Sequence, residues 1–204
     1  KFLMPGLTDM HTHLAHVEDL AIYVGFGMTT VRNIWGAPIH VEWRDQIARG
    51  LRVGPTIVTA GPVLDGEKPI HDGSYIVATP DDVPAVIALH KRLGYDFVKI
   101  YSRLSPPVFA RIIEEAKRAG LPVAGHVPRQ LTLRAVLDAH VASIEHLTGL
   151  AEALRGTGGE AGLPALASDW VQSGVWSCPT RVGKDAWFLD ADARTRALTA
   201  PTMR

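Results

Sequence analysis

Short runs of branched and apolar residues alternate with stretches of helical spacing along almost the whole chain. Seven runs, at residues 6–13, 30–34, 56–60, 97–101, 122–126, 143–146 and 175–178, are brief, rich in branched residues and bounded by Gly or Pro, which predicts strands. Between them the spacing changes. Val108, Ile112 and Ala116 recur at intervals of four, and Leu133, Val136, Leu137 and His140 mark one face of another helix. Ser105 ahead of Pro106-Pro107 reads as an N-cap with proline in the first turn, and Gly120 as the stop. Gly94 and Gly174 end helices in the same way, each just before a strand.

Strands alternating with helices imply a parallel sheet joined by right-handed crossovers. The expected class is therefore α/β, a (β/α)8 TIM-type barrel, incomplete in this chain. Seven strands are recognisable where a closed barrel has eight and typically about 250 residues, against 204 here. The last strand lies near Val175, and residues 184–204 are charged and helix-like. The start at Lys1, directly before a strand, points to a piece of a longer chain. One domain, residues 1–204, is the default for this length.

Charge changes the picture mainly by exclusion. With 21 Lys+Arg against 21 Asp+Glu the formal net charge is zero, so the broad positive field of a nucleic-acid or membrane-surface binder is missing. No apolar run approaches the roughly 18 residues that span a bilayer. The opening six residues are too short and too soon broken for a signal peptide, so no compartment can be read. Cys178 is the single cysteine, which permits neither an internal disulfide nor a thiolate zinc cluster. Nine histidines stand out instead. Any metal chemistry must come from them and from oxygen ligands.

Residues two apart on a strand project to one face, so in Asp9-Met10-His11-Thr12-His13 the two imidazoles point together. Alone this is weak, since nine histidines in 204 residues give such a pair by chance roughly 0.4 times. Three later strands strengthen it. In Phe97-Val98-Lys99-Ile100-Tyr101, Val98 and Ile100 would face helices, leaving Lys99 directed into the barrel. A buried ammonium must lose its charge or find an anion. Carbamylation by CO2 offers another way out, converting the amine to an anionic carboxylate that can bridge two cations. His126 and His146 close two further strands, and in a barrel all these ends share the C-terminal rim where active sites sit. Any one of these residues read singly is an ordinary structural histidine or a snorkelling lysine.

Taken in order, these motifs resemble the amidohydrolase superfamily. Pro5-Gly6-Leu7-Thr8-Asp9-Met10-His11-Thr12-His13 is similar to its strand-1 signature. Thr29-Thr30-Val31-Arg32-Asn33, Val98-Lys99-Ile100-Tyr101, Gly125-His126-Val127 and Ser143-Ile144-Glu145-His146 are similar to its later landmarks. The resembling branch is that of the imidazolonepropionase-like enzymes with the metal-dependent, prolidase-like dipeptidases. The resemblance covers Lys1 to about Thr180. It implies two divalent ions, of which zinc best suits the ligands. His11 and His13 would hold one, His126 and His146 the other, and Lys99, as its carbamate, would bridge them. It further implies hydrolysis of an amide or peptide bond, in a dipeptide or N-acyl amino acid, by a metal-bridged hydroxide.

The sequence departs from the family pattern in two places. The family's strand-8 aspartate, a metal ligand and proton shuttle, has no match, because Asp185, Asp190 and Asp192 lie in the polar tail. Neither half of the family's small β-sandwich is recognisable. The resemblance therefore implies most of a metal cage without its proton shuttle, and weak or no activity for this chain alone.

On the substrate side, the resemblance matches His71 to a loop histidine that touches substrate. Tyr101 shares the inward face of Lys99 and could donate to a substrate oxygen. Arg103, Arg129 and Arg181 each follow a strand end and could hold a carboxylate. Trp35-Gly36-Ala37-Pro38 could wall the pocket. His16, His40, His90 and His140 read as structural or surface residues, and Cys178 as a buried strand residue with no base to activate it. The expected partner is a small amide or peptide substrate, with no nucleic acid and no membrane, and a homo-oligomer is open. Three alternatives stay in view: a cyclic-amide hydrolase, a deaminase of the same superfamily, and an inactive metal-binding barrel. The deaminase reading is weakened because no acid follows His126 in Val127-Pro128-Arg129-Gln130.

Overall fold

The computed structural model describes residues 3–181; the tail at 184–204, with Asp185, Asp190 and Asp192, lies outside them. Seven helices and nine strands follow one another along the described chain. The strands are β1 (Leu7–Thr12), β2 (Met28–Asn33), β3 (Thr56–Thr59), β4 (Leu64–Asp65), β5 (Tyr75–Ile76), β6 (Val98–Ile100), β7 (Val123–Gly125), β8 (Ser143–Glu145) and β9 (Trp176–Cys178). The helices are α1 (Asp19–Gly25), α2 (Pro38–Ala48), α3 (Val83–Arg92), α4 (Pro106–Ala119), α5 (Leu133–Asp138), α6 (Leu150–Gly156) and α7 (Leu163–Ser173). Among these helices none is long and apolar enough to cross a membrane.

All strand pairs are parallel. One sheet runs β1-β2-β3 and a second β5-β4-β6-β7-β8-β9. A parallel bridge between Ala60 and Phe97 joins them where β3 ends and β6 begins. The seven strands expected from the sequence are β1, β2, β3 and β6 to β9. The additional β4 and β5 span two residues each, too short for any periodicity to show. β4 resumes the line of β3 beyond Gly61-Pro62 and pairs through Leu64 with Ile100 of β6. Among the described residues β9 and β1 are not paired, so the wall is open there.

Three apolar clusters follow from the alternation along the strands. Val98, Ile100, Val123 and Ile144 point outward and pack under α3, α4 and α5, including Val108, Phe109, Ile112 and Ala116 of α4. On the other sheet Val31 and Ile57 meet Leu20 and Trp43 from α1 and α2. Inside the barrel a smaller cluster of Ile34, Ala60, Phe97 and Ala124 forms a floor. Burying a branched side chain fully is worth about 1.5–3 kcal/mol, so the outward faces hold the helices while the inner face is left for polar groups.

Ser105 does precede α4 with an extended backbone, yet its side chain makes no capping hydrogen bond; the prolines in the first turn carry that start. Gly120 ends α4 at φ +67°, and Gly174 ends α7 at φ +71°, left-handed conformations that an L side chain resists.

Candidate metal centre

The inward positions of the strand ends meet in one place. His11 and His13 come from the end of β1 and just beyond it, Lys99 from β6, and His126 and His146 from the residues that follow β7 and β8. The ring centroids of His11 and His13 are 5.3 Å apart, those of His11 and His146 4.4 Å, and those of His126 and His146 5.0 Å. Lys99 lies among them, only 2% exposed.

Two local backbone features deliver these side chains. Gly125 pairs with Ile100 in the register of β6 and β7. Its φ is +147°, and a Cβ there would collide with the Ile100 carbonyl oxygen, so only glycine lets the strands close up immediately before His126. After β8 the chain turns through two non-glycine residues in the left-handed region, His146 at φ 59° and Leu147 at φ 55°. Such conformations cost of order 1–3 kcal/mol and concentrate at functional sites. Here the turn sets the His146 ring against His11 and His126.

Hydrogen bonding divides the nitrogens into held and open ones. His11 Nδ1 lies 2.7 Å from Oε2 of Glu145, and His126 Nδ1 lies 3.3 Å from Oγ of Ser102. His146 Nδ1 meets Oγ1 of Thr180. By contrast, the Nε2 atoms of His11 and His126 are buried with no hydrogen-bond partner. A buried polar atom without a partner costs about 1–3 kcal/mol. Two such buried nitrogens, on rings that both pack against His146, make a donor set that fits a divalent cation.

The electrostatics point the same way. Burial, with the neighbouring Lys99 and imidazoles, pushes His126 down to about 2. His13 stands at the rim, where partial burial and the nearby His11, Lys99 and His71 hold it to about 4. Both rings are thus neutral near pH 7, the state that ligates metal. Burial lowers the Lys99 amine to about 7. Glu145 is the opposite case. Burial alone would raise it, but its bond to His11, the Arg32 charge and the Ser143 hydroxyl outweigh that and hold it near 2.

The centre forms one wall of a cavity of ≈ 1130 Å3. Trp35, Gly36 and Ala37 line it as expected, together with His71, Tyr101 and Arg181. Rings close around its mouth: Tyr101 sits 4.0 Å from His126, His71 5.1 Å from Tyr101, Trp35 4.8 Å from His71, and His13 5.9 Å from Trp35. His71 Nε2 lies 2.8 Å from the Tyr101 hydroxyl. Of the other arginines, Arg103 donates to the Lys68 carbonyl and Arg129 lines a neighbouring groove. His40 and His90 are buried in the scaffold and His140 bonds the Ser173 carbonyl. Cys178 is half-buried rather than buried, because it ends the strand beside the open edge.

His11, Glu145 and Cys178 also gather their ligand atoms within 4.8 Å of one another. That trio makes a poor cage. Glu145 is already occupied by His11, Arg32 and Ser143, and burial and Glu145 raise the Cys178 thiol, keeping it protonated. The buried Nε2 atoms of His11 and His126 suit an ion better. Glu145 carries the same local signal as Lys99, since an acid at an inward position of a buried strand needs a partner.

No protein-family model and no curated protein matches the chain. Solved structures do. A bottromycin amidohydrolase is 26% identical over 94% of this chain and 52% of that one, with a TM-score of 0.73. A Bifidobacterium longum structure described as a candidate prolidase is 28% identical over 70% of this chain and 40% of that one, at 0.58. A Xaa-Pro dipeptidase with methionine in its active site is 21% identical over 98% and 61%, at 0.66, a likeness of fold. The chain thus spans about half the length of these proteins. The structural neighbours are amidohydrolase-superfamily members, in agreement with the resemblance carried by the strand-end motifs.

Proposed function

We propose that this amidohydrolase-like barrel is a metal-dependent hydrolase of an amide or peptide bond, acting on a dipeptide or N-acyl amino acid. The observation that carries the reading is the pair of partnerless, buried Nε2 atoms on His11 and His126, with two more imidazoles and Lys99 beside them. His11 and His13 would hold one divalent ion and His126 and His146 a second. Lys99, as its carbamate, would stand between them, its amine forming a C–N bond to CO2 with loss of one proton. Imidazole and carboxylate donors suit zinc. Bound ions supply Lewis acidity toward a carbonyl oxygen and a nucleophile at neutral pH.

The chain's own residues do the rest. With its proton on Nε2, His71 donates to the Tyr101 oxygen and leaves the phenol proton free for a substrate oxygen. Burial raises the Tyr101 phenol, with Asp65 adding to the effect, so it remains a donor at neutral pH. Trp35 and the neighbouring rings give the cavity an apolar wall against which a substrate side chain could pack. Arg181 lines the same cavity and offers a guanidinium for a substrate carboxylate.

The test is metal analysis combined with a hydrolysis panel of dipeptides and N-acyl amino acids. Two ions per chain are the expected result, with turnover that a chelator abolishes and zinc restores in the full-length protein, and weak or no turnover from residues 1–204 alone. Two tightly held ions with no turnover by the full-length protein on any member would favour a metal-binding barrel. Failure to bind divalent ions would overturn the cage itself.

A further inference from the structure

Four polar residues from three strands, Ser143 and Glu145 buried and Arg32 and His11 partly so, form a continuous hydrogen-bonded chain that ends at the centre. Arg32 of β2 reaches across the barrel and donates through Nη2 to Ser143 Oγ and to Glu145 Oε1, each at 2.6 Å. The Ser143 hydroxyl donates to the same Oε1, also at 2.6 Å. The remaining oxygen, Oε2, faces His11 Nδ1 at 2.7 Å. Glu145 is 0% exposed, and the Arg32 guanidinium lies over the Phe97 ring, 5.2 Å from its centroid. One end of the carboxylate is therefore anchored by two donors, which leaves the other end fixed toward His11.

We propose that Glu145 is a positioning residue that holds the His11 proton on Nδ1 and so turns a lone pair on Nε2 toward a divalent ion. The inference rests on the metal reading above for its last step, but its first step concerns the metal-free protein. An ionised carboxylate only accepts hydrogen bonds. A ring nitrogen 2.7 Å from one must carry the proton, and in a neutral imidazole the other nitrogen is then the bare one. That other nitrogen is the buried Nε2 with no partner. Carboxylates commonly orient metal-binding histidines in this manner. Arg32 and Ser143 complete the device by fixing which carboxylate oxygen is available.

The arrangement predicts a specific outcome for Glu145→Gln. Arg32 and Ser143 both donate at Oε1, so the amide must turn its oxygen to them and its NH2 toward His11. His11 Nδ1 then has to accept, the proton moves to Nε2, and the nitrogen aimed into the cage becomes a donor. The test uses the full chain. Long-range 1H–15N NMR of the metal-free protein, with His11 assigned by comparison with His11→Asn, reports the tautomer. Chelator competition reports zinc affinity. The expected result is an Nδ1–H ring in the wild-type chain, an Nε2–H ring in E145Q, and zinc affinity about 10- to 100-fold weaker in E145Q. Ser143→Ala, which loosens the anchor but leaves the His11 contact, should keep the Nδ1–H ring and stay much closer to wild type.

A wild-type His11 protonated on Nε2, or E145Q with undiminished zinc affinity, overturns the proposal. Should E145Q fail to fold, the wild-type tautomer decides alone. A chain that shows the tautomer switch but binds no zinc would sink the metal reading and leave the proton assignment standing.

Discussion

The Tyr101 hydroxyl lies 2.8 Å from Nε2 of His71, although the two residues are thirty positions apart and sit on separate loops. Both residues line the cavity that also holds His11 and His126. The contact links the two residues proposed to meet substrate, so neither acts independently of the other.

Tyr101→Phe removes that hydroxyl while keeping the ring against His126. A lost hydrogen bond to a neutral group is worth about 1 kcal/mol, so KM should rise roughly fivefold to tenfold with little change in kcat. His71→Ala should do much the same. Because the pair acts as a unit, the double variant should be barely worse than either single one. Full additivity in steady-state kinetics would show that they contribute separately.

Lys99→Ala should lower metal content below two ions per chain. Added short-chain carboxylates should restore part of it by occupying the space of the carbamate. Elemental analysis with and without acetate or propionate measures this. A variant that keeps both ions unaided would exclude the bridging role.

His13→Ala and His146→Ala should deplete different ions. Titration of each variant with zinc should leave one retained site, and the two retained sites should differ in affinity. Loss of both ions together from either variant would instead indicate a single shared site.

The metal-free protein should lose stability as pH falls. His13 and His126 are held to about 4 and about 2 in the fold, below the unfolded value near 6.5. Between those limits the unfolded chain binds more protons, so the stabilisation is complete above about pH 6.5 and lost on acidification toward the folded values. Glu145 adds a similar loss below about 4.5, since its folded value is near 2. Chemical denaturation across pH 3 to 8 tests this, and a flat profile would contradict it.

Lys99 works in a higher window. Its folded value of about 7 lies below the ordinary 10.5, so the unfolded chain again holds more protons between those limits and stability rises with pH across them. Lys99→Met removes the buried amine. It should stabilise the metal-free chain by up to roughly 4 kcal/mol at pH 7 and remove the rise toward pH 10, both readable from thermal melts.

Much of the architecture is legible in the sequence. All seven expected strands formed, because branched-residue content and Gly or Pro boundaries are local properties written within a few residues. The inward aim of Lys99 followed from Val98 and Ile100 facing helices, which they do. The two-residue strands β4 and β5 were not legible, since two residues carry no period and their pairing depends on where β6 happens to lie.

Sequence alone determined the βα rhythm, the faces of the helices and the types of group available for chemistry, because each depends on near neighbours. Only the tertiary structure decided which of those groups meet. Glu145 and His11 are 134 residues apart, and nothing local to either tells the carboxylate which ring it will hold. The strands bring them together by burying their outward apolar faces, and once buried, the polar groups inside must satisfy one another or leave a nitrogen bare.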